Sequence, residues 1–81
     1  MTKVEAHNVL RAIYSIAEDT ALTGVLSEGR GYSMQTYNRI RMIAIKEEWI
    51  DELLFDELTD ENCANMEIVG VAAGLLAAAL K

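Results

Sequence analysis

The sequence contains no proline and only one cysteine, one histidine, one tryptophan and one phenylalanine among its 81 residues. Without proline, no helix is interrupted by a residue that lacks a backbone N–H. The single cysteine, Cys63, cannot form a disulfide within the chain. The sequence also lacks an N-terminal charged and then apolar segment ending in a small-residue cleavage site, so we expect a cytoplasmic protein.

Metal ligands and catalytic groups are equally scarce. A zinc site needs three or four clustered nitrogen or sulfur ligands, and His7 and Cys63 cannot supply them within one protomer. The stretch Asp56–Glu67 has the length of a calcium-binding loop, but Leu58 and Glu61 stand where an oxygen ligand and a turn glycine are needed. No nucleophile motif accompanies His7. We therefore expect no metal, no cofactor and no enzymatic activity.

Basic residues are few: seven, against 13 acidic ones, for a net charge of −6. This balance disfavours attraction to nucleic-acid phosphates or to an anionic membrane, and it favours a protein partner with a basic surface. The longest uncharged apolar run, Ile68–Leu80, rises only ~20 Å as a helix, less than the ~30 Å of a bilayer core. We expect neither a membrane span nor nucleic-acid binding.

Apolar residues, in contrast, are abundant at 52% of the chain. A domain of this length buries only ~60% of the surface that its unfolded chain exposes. We therefore expect one helical domain over residues 1–81 whose surplus apolar surface is covered in a homodimer or by a partner.

Helical signals run through most of the chain. Thr2 and Glu5 form a capping box that predicts a first helix from about residue 3. Thr20 is expected to cap a short second helix that ends at Gly29. Ser33 is expected to cap a helix of about 34–46.

The apolar side of the helical pattern is formed first by Met34, Tyr37, Ile40, Ala44 and Ile45, and from residue 49 onward by Trp49, Ile50, Leu53 and Leu54. This rotation by about half a turn near residues 46–48 predicts a break followed by a helix of about 48–57. Thr59, with the acids after it, predicts the start of a last helix whose second half is apolar all round and therefore buried on every side. The expected fold is all-α, with four to five helices packed around this apolar C-terminal helix.

Small residues recur every four positions in the last helix, at Gly70, Gly74 and Ala78. Glycine inside a helix costs roughly 0.5–1 kcal/mol relative to alanine, so two of them call for a close approach of backbones. The approach is either a crossing inside the bundle or a symmetric dimer contact, and we favour the dimer.

Charge is segregated along the chain. Residues 30–46 hold four bases and no acid, and residues 47–61 hold eight acids and no base. The acidic run predicts a helix face that docks on a basic surface, with a merely solvated face as the alternative. The residues of this candidate partner-binding face are Glu47, Glu48, Asp51, Glu52 and Asp56. Trp49 and Phe55 are the candidate anchors beside it, although Trp49 lies on the apolar side and is expected to belong to the core.

A second hypothesis concerns the basic run, since its side chains are of the types that read base edges in a helix-turn-helix protein. The residues of this alternative nucleic-acid face are Arg30, Gln35, Asn38, Arg39 and Arg41.

In size and charge the chain resembles the small acidic accessory proteins that phages and mobile elements use against host nucleoprotein machinery, anti-CRISPR inhibitors included. The resemblance implies an inhibitor that docks its acidic face on a basic surface of such a machine. The runner-up is a small helix-turn-helix regulator that uses residues 30–46, and the third class is a structural subunit.

Overall fold

A computed structural model describes residues 1–23 and 30–81 of the chain. These residues form three α-helices, α1 (Lys3–Thr23), α2 (Arg30–Lys46) and α3 (Met66–Ala79), and a single 3-10 turn at Glu52–Leu54. They contain no strand, so the all-α class is confirmed for the described part of the chain. The expected count of four to five helices is not reached there.

Helix α1 begins with the predicted capping box. The Thr2 N–H donates to Glu5 Oε1 at 2.8 Å, and the Glu5 N–H donates to the Thr2 hydroxyl oxygen at 3.1 Å. The hydrogen bond from the Thr2 backbone, followed by that with its hydroxyl, lowers the pKa of Glu5. The helix then continues to Thr23, so the prediction that Thr20 starts a second helix is wrong. The rest of that predicted helix, residues 24–29, lies outside the described residues.

Helix α2 begins at Arg30, earlier than the predicted cap at Ser33, which instead lies buried inside the first turn. Its predicted apolar side is confirmed in four of its five residues, because Ile45 is half-buried and the others are buried: Met34, Tyr37, Ile40 and Ala44.

The predicted break after α2 is confirmed, and it has the hydrogen bonds of a Schellman motif. The Trp49 N–H donates to the Ala44 carbonyl at 2.8 Å, and the Glu48 N–H donates to the Ile45 carbonyl at 3.1 Å. Glu48 adopts a left-handed backbone conformation with φ of 61°, a position that glycine usually occupies.

The helix predicted over 48–57 is not formed. Asp51 caps a single 3-10 turn by accepting the Leu53 N–H at 2.9 Å, and the chain leaves the turn extended at Phe55. The left-handed residue Glu48 redirects the backbone, so the apolar residues that share a helical face in the sequence point in different directions. Trp49, Ile50 and Phe55 pack against the core, but Leu53 and Leu54 do not.

The predicted start of the last helix at Thr59 is also wrong. Thr59 and Asn62 exchange hydrogen bonds like a capping box, and the Cys63 N–H donates to the Thr59 carbonyl at 3.0 Å, but this turn does not propagate. Helix α3 begins at Met66, where the Asn65 side chain accepts the Ile68 N–H at 3.0 Å. An asparagine oxygen satisfies a helix N-terminus better than it supports a helix interior.

The core lies where α1 and α2 pack against α3, with α1 and α3 forming the larger contact. Helix α1 contributes four residues that follow one another at about one helical turn: Ala6, Leu10, Ile13 and Ala17. Helix α3 contributes Met66, Val69, Gly70, Ala73, Leu76 and Ala77.

Helix α3 is not buried on every side, contrary to the prediction from its uniform apolarity. Ile68, Val71 and Leu75 are 37%, 56% and 61% exposed, and their spacing of three and four places them in one apolar stripe along the helix. None of the helices within the described ranges is both long and apolar enough to cross a membrane.

Candidate partner-binding surface

The acidic segment, defined here as residues 47–57, projects its carboxylates into solvent. All five predicted partner-binding residues are exposed: Glu47, Glu48, Asp51, Glu52 and Asp56. They do not form a stripe along a helix as expected, because the segment is a 3-10 turn with extended flanks. The carboxylates therefore surround a turn instead of lining a helix face.

The apex of this turn carries two leucines that the sequence pattern assigned to the buried side. Leu53 is 84% exposed and Leu54 is 73% exposed. The predicted anchors Trp49 and Phe55 are half-buried and pack against the core. The most exposed apolar side chains of the acidic segment are thus the leucines of its apex, which we call the leucine tip (Leu53 and Leu54).

Side chains of α2 hold the end of the acidic segment in place. The Asn38 amide donates to the Leu58 carbonyl and accepts the Leu58 N–H, both at 2.8 Å. Arg41 Nε donates to the Phe55 carbonyl, and the Tyr37 hydroxyl donates to the Asp56 carbonyl at 3.4 Å. Burial raises the pKa of the Tyr37 hydroxyl and thus further favours its protonated, donating form. The backbone of residues 55–58 is therefore fixed from three points on one helix.

A further contact joins the start of α2 to the chain before α3. Arg30 Nη1 donates to the Cys63 carbonyl at 2.8 Å and to Asp60 Oδ1 at 3.3 Å, where it forms an ion pair. The Asp60 side chain is largely exposed, so the ion pair itself contributes little, whereas the hydrogen bond to a partly buried carbonyl satisfies a group that would otherwise be unpaired.

These contacts account for three of the five residues of the alternative nucleic-acid face. Arg30, Asn38 and Arg41 bind backbone carbonyls of this same chain, while Gln35 and Arg39 are exposed. The polar side chains of α2 thus position the segment that follows it, and the basic run lies against the acidic run that it precedes in the sequence.

The small residues of α3 approach α1 of the same chain. A Cβ added at Gly70 would lie 2.3 Å from Ala17 Cβ, and one at Gly74 would lie 3.0 Å from the Tyr14 ring. The close approach that the two glycines require is therefore supplied inside the bundle. Ala78 is exposed and lines a surface pocket with Gly74 and with His7 and Arg11 of α1. The homodimer stays a prediction, and these glycines do not carry it.

His7 and Cys63, the two residues considered as catalytic groups or metal ligands, both make contacts within the fold. His7 is half-buried, and its Nδ1 donates to the Ala77 carbonyl at 2.7 Å, since a carbonyl can only accept. Cys63 is fully buried in the core, and burial raises the pKa of its thiol. Among the described residues, no three histidine, cysteine or carboxylate side chains are grouped as metal ligands.

A groove beside the leucine tip was missed from the sequence. It has a volume of about 180 Å³ and lies between Leu54 and Phe55 on one side and Ala72 and Leu75 of α3 on the other. The sequence alone places Ile68, Val71 and Leu75 on one side of the last helix, opposite its small residues. It does not indicate the turn that faces this side, because that turn depends on contacts that are distant in the sequence.

Comparison of the chain with protein-family models, with curated protein sequences and with solved structures found no match.

Proposed function

We propose that this chain is a protein-interaction module that docks the acidic segment, led by its leucine tip, on a basic surface of a partner protein. The observation that carries this proposal is the exposure of Leu53 and Leu54, 84% and 73%, at the apex of a capped turn surrounded by carboxylates. Apolar anchors inside a charged rim are the usual anatomy of a protein-binding surface.

The two parts of the surface have different roles in binding. Burying a leucine side chain contributes about 1.5–3 kcal/mol, so the leucine tip supplies affinity once it enters an apolar pocket of the partner. The carboxylates speed encounter with a basic surface and select against acidic ones. Because Asp51, Asn38 and Arg41 already fix the turn, little conformational entropy is lost on docking.

A purely solubilising role explains the surface less well. Charged side chains alone keep a small protein soluble, and two exposed leucines at an apex work against that purpose. Glu48 adopts a left-handed backbone conformation in which glycine would be more stable. The acidic side chain is therefore present at a position where the backbone conformation disfavours it. Both features favour binding over mere solvation.

The chemistry of the surface supports one class of partner in this proposal. Nucleoprotein machines expose basic grooves for nucleic acid, and an acidic segment with an apolar tip occupies such a groove in competition with the phosphate backbone. The proposal includes an inhibitor of the kind that phages and mobile elements produce, as the resemblance in size and charge implies. A homodimer remains part of the proposal, with no face of the molecule assigned to it.

Site-specific photocrosslinking tests the proposed surface. A benzophenone amino acid replaces Leu53 in one variant and Asn8, an exposed residue of α1, in the matched control, and both are irradiated in the native host. We expect one predominant crosslinked protein with the probe at position 53 and none with the probe at position 8. Crosslinks to the same protein from position 8 alone would contradict the proposal.

A further inference from the structure

The groove beside the leucine tip continues into the exposed apolar stripe of α3. Leu75 belongs to both, since it lines the groove with Leu54 and stands at the end of the series Ile68, Val71, Leu75. Residues at i, i+3 and i+7 share one side of a helix, and this series extends ~10 Å along the axis. The result is an elongated apolar surface that is at least partly exposed along its length and is bordered beside Val71 by Tyr14 and Glu18 of α1.

The dimensions and spacing of this surface suit a helix. A helix that lies along α3 presents its own apolar residues at the same spacing of three and four, so that one side chain enters the groove and the next two contact Val71 and Ile68. An extended peptide, with side chains alternating between two faces, would direct every second residue away from the surface.

Acidic residues mark both ends of the surface. Asp56 lines the groove, and Glu67 is exposed in the first turn of α3 beside the other end of the stripe. A second copy of the chain is therefore a poor occupant. Antiparallel pairing of two α3 helices would bring Glu67 of one copy toward Asp56 of the other, and parallel pairing would bring like residues together. In either orientation carboxylates meet carboxylates, which is unfavourable.

We infer that this surface binds an amphipathic helix of the partner whose apolar side is flanked by lysine or arginine residues. The apolar side packs on Leu75, Val71 and Ile68, and the basic residues approach Asp56 and Glu67. This inference rests on the proposed function, because it names the structural class of the element that the basic partner presents.

A defined probe tests the inference on the full chain. The probe is a fluorescently labelled model peptide of about 18 residues, long enough to form a helix, with leucine and lysine placed at helical spacing. A permuted peptide of the same composition without that spacing controls for simple charge attraction. Binding is measured by fluorescence anisotropy. We expect the helical peptide to bind at least about tenfold more tightly than the permuted one, as burial of one leucine is enough to produce.

Surface variants locate the binding. Val71→Asn and Leu75→Asn change exposed positions, so the fold should persist by circular dichroism, and each should weaken binding of the helical peptide about tenfold. Val4→Asn, at an exposed valine of α1, is the matched control and should leave binding unchanged. Equal binding of the two peptides, or equal binding by Val4→Asn and Val71→Asn, would overturn the inference.

Further outcomes separate this inference from the proposed function. If reversing the acids Glu47, Glu48 and Glu52 to lysine abolishes binding while Leu75→Asn does not, the acidic segment binds but the helix site is wrong. If Leu75→Asn abolishes binding and the reversals do not, the helix site stands and the proposed function of the acidic segment is wrong. A dimer that Val71→Asn dissociates in analytical ultracentrifugation would show that a second copy occupies the surface, which overturns the inference.

Discussion

Replacing Gly70 by alanine tests the contact on which the bundle depends. Gly70 lies in the middle of α3, and a Cβ built there would be only 2.3 Å from Ala17 Cβ of α1. Two methyl groups in contact lie about 3.5–4.0 Å apart, so the two helices must separate by more than 1 Å or tilt to accept the substitution.

Two opposing effects determine the magnitude. Alanine is favoured over glycine inside a helix by about 0.5–1 kcal/mol, which stabilises α3 itself. Forcing an extra methyl group into a packed core costs about 1–3 kcal/mol. Because Ala17 is nearly fully buried and its contact atom is a Cβ fixed to the backbone, no flexible side chain can move aside. We expect a net loss of about 1–2 kcal/mol, or roughly 4–15 °C in Tm for a domain of this size.

The chain provides matched controls for this experiment. Gly31→Ala changes a glycine in the first turn of α2 around which a new Cβ meets no atom within 4 Å, so it should be neutral or slightly stabilising. The exchanged pair Ala17→Gly with Gly70→Ala moves the methyl group from α1 to α3 and should recover most of the lost stability. Urea unfolding, followed by circular dichroism at several protein concentrations, measures the free energy of unfolding of the three variants and of wild type.

The reasoning would be refuted if Gly70→Ala were as stable as Gly31→Ala, because the close crossing of α1 and α3 would then be absent. A loss of stability that disappears at high protein concentration would instead point to a dimer contact at Gly70.

Three further predictions concern the segment between α2 and α3. Glu48→Gly relieves the left-handed conformation and should raise the free energy of unfolding by about 0.5–1 kcal/mol over the charge control Glu48→Gln; an equal stability of the two variants would contradict the Schellman geometry. Asn38→Ala leaves the backbone N–H and carbonyl of residue 58 without their partner and should lower the free energy of unfolding, measured in urea, by about 1–3 kcal/mol. Gln35→Ala, on the exposed side of α2, should change the free energy of unfolding by less than about 0.5 kcal/mol. Burial raises the pKa of the Cys63 thiol above its ordinary 9.0, so its contribution to stability is complete below that pH and is lost as the pH rises through the folded-state pKa. Unfolding midpoints measured across that range should fall more steeply for wild type than for Cys63→Ala, and identical slopes would show that the thiol is not protected.

Local signals in the sequence predicted the elements that depend on neighbouring residues. The capping box of Thr2 and Glu5 is made within four residues, and the buried side of α2 follows from helical spacing alone. The break after α2 was visible because the apolar stripe changed direction at Lys46. Each of these features needs no information from distant parts of the chain.

The region from 48 to 65 was mispredicted because distant contacts determine it. Its apolar residues have helical spacing, yet Asn38 and Arg41 bind the backbone of residues 55–58 in an extended form that a helix could not offer them. A helix satisfies its own carbonyls, whereas this segment depends on side chains of α2 to satisfy them. The spacing of apolar residues within the segment does not show that side chains of α2 stabilise the extended backbone over a helix.

The candidate site was predicted in composition but not in shape. The acids of the acidic segment are exposed as expected, but the leucine tip was assigned to the buried side and the exposed stripe of α3 was assigned to the interior. Uniform apolarity in a short helix does not distinguish burial on every side from an uncovered binding face. The two glycines of α3 likewise required a close approach without indicating whether the approaching helix belonged to the same chain.

The rate of association with the crosslinked partner tests the central claim most directly. Stopped-flow or biosensor kinetics should compare wild type with the triple variant Glu47→Lys, Glu48→Lys, Glu52→Lys, which leaves the Asp51 cap of the turn in place. We predict an association rate for wild type that falls as salt is raised, and a rate for the triple variant that is at least about tenfold lower at low salt, with unchanged helical circular dichroism. Equal rates for the two proteins at every salt concentration would contradict the claim and would direct the search for the interface to residues 30–46.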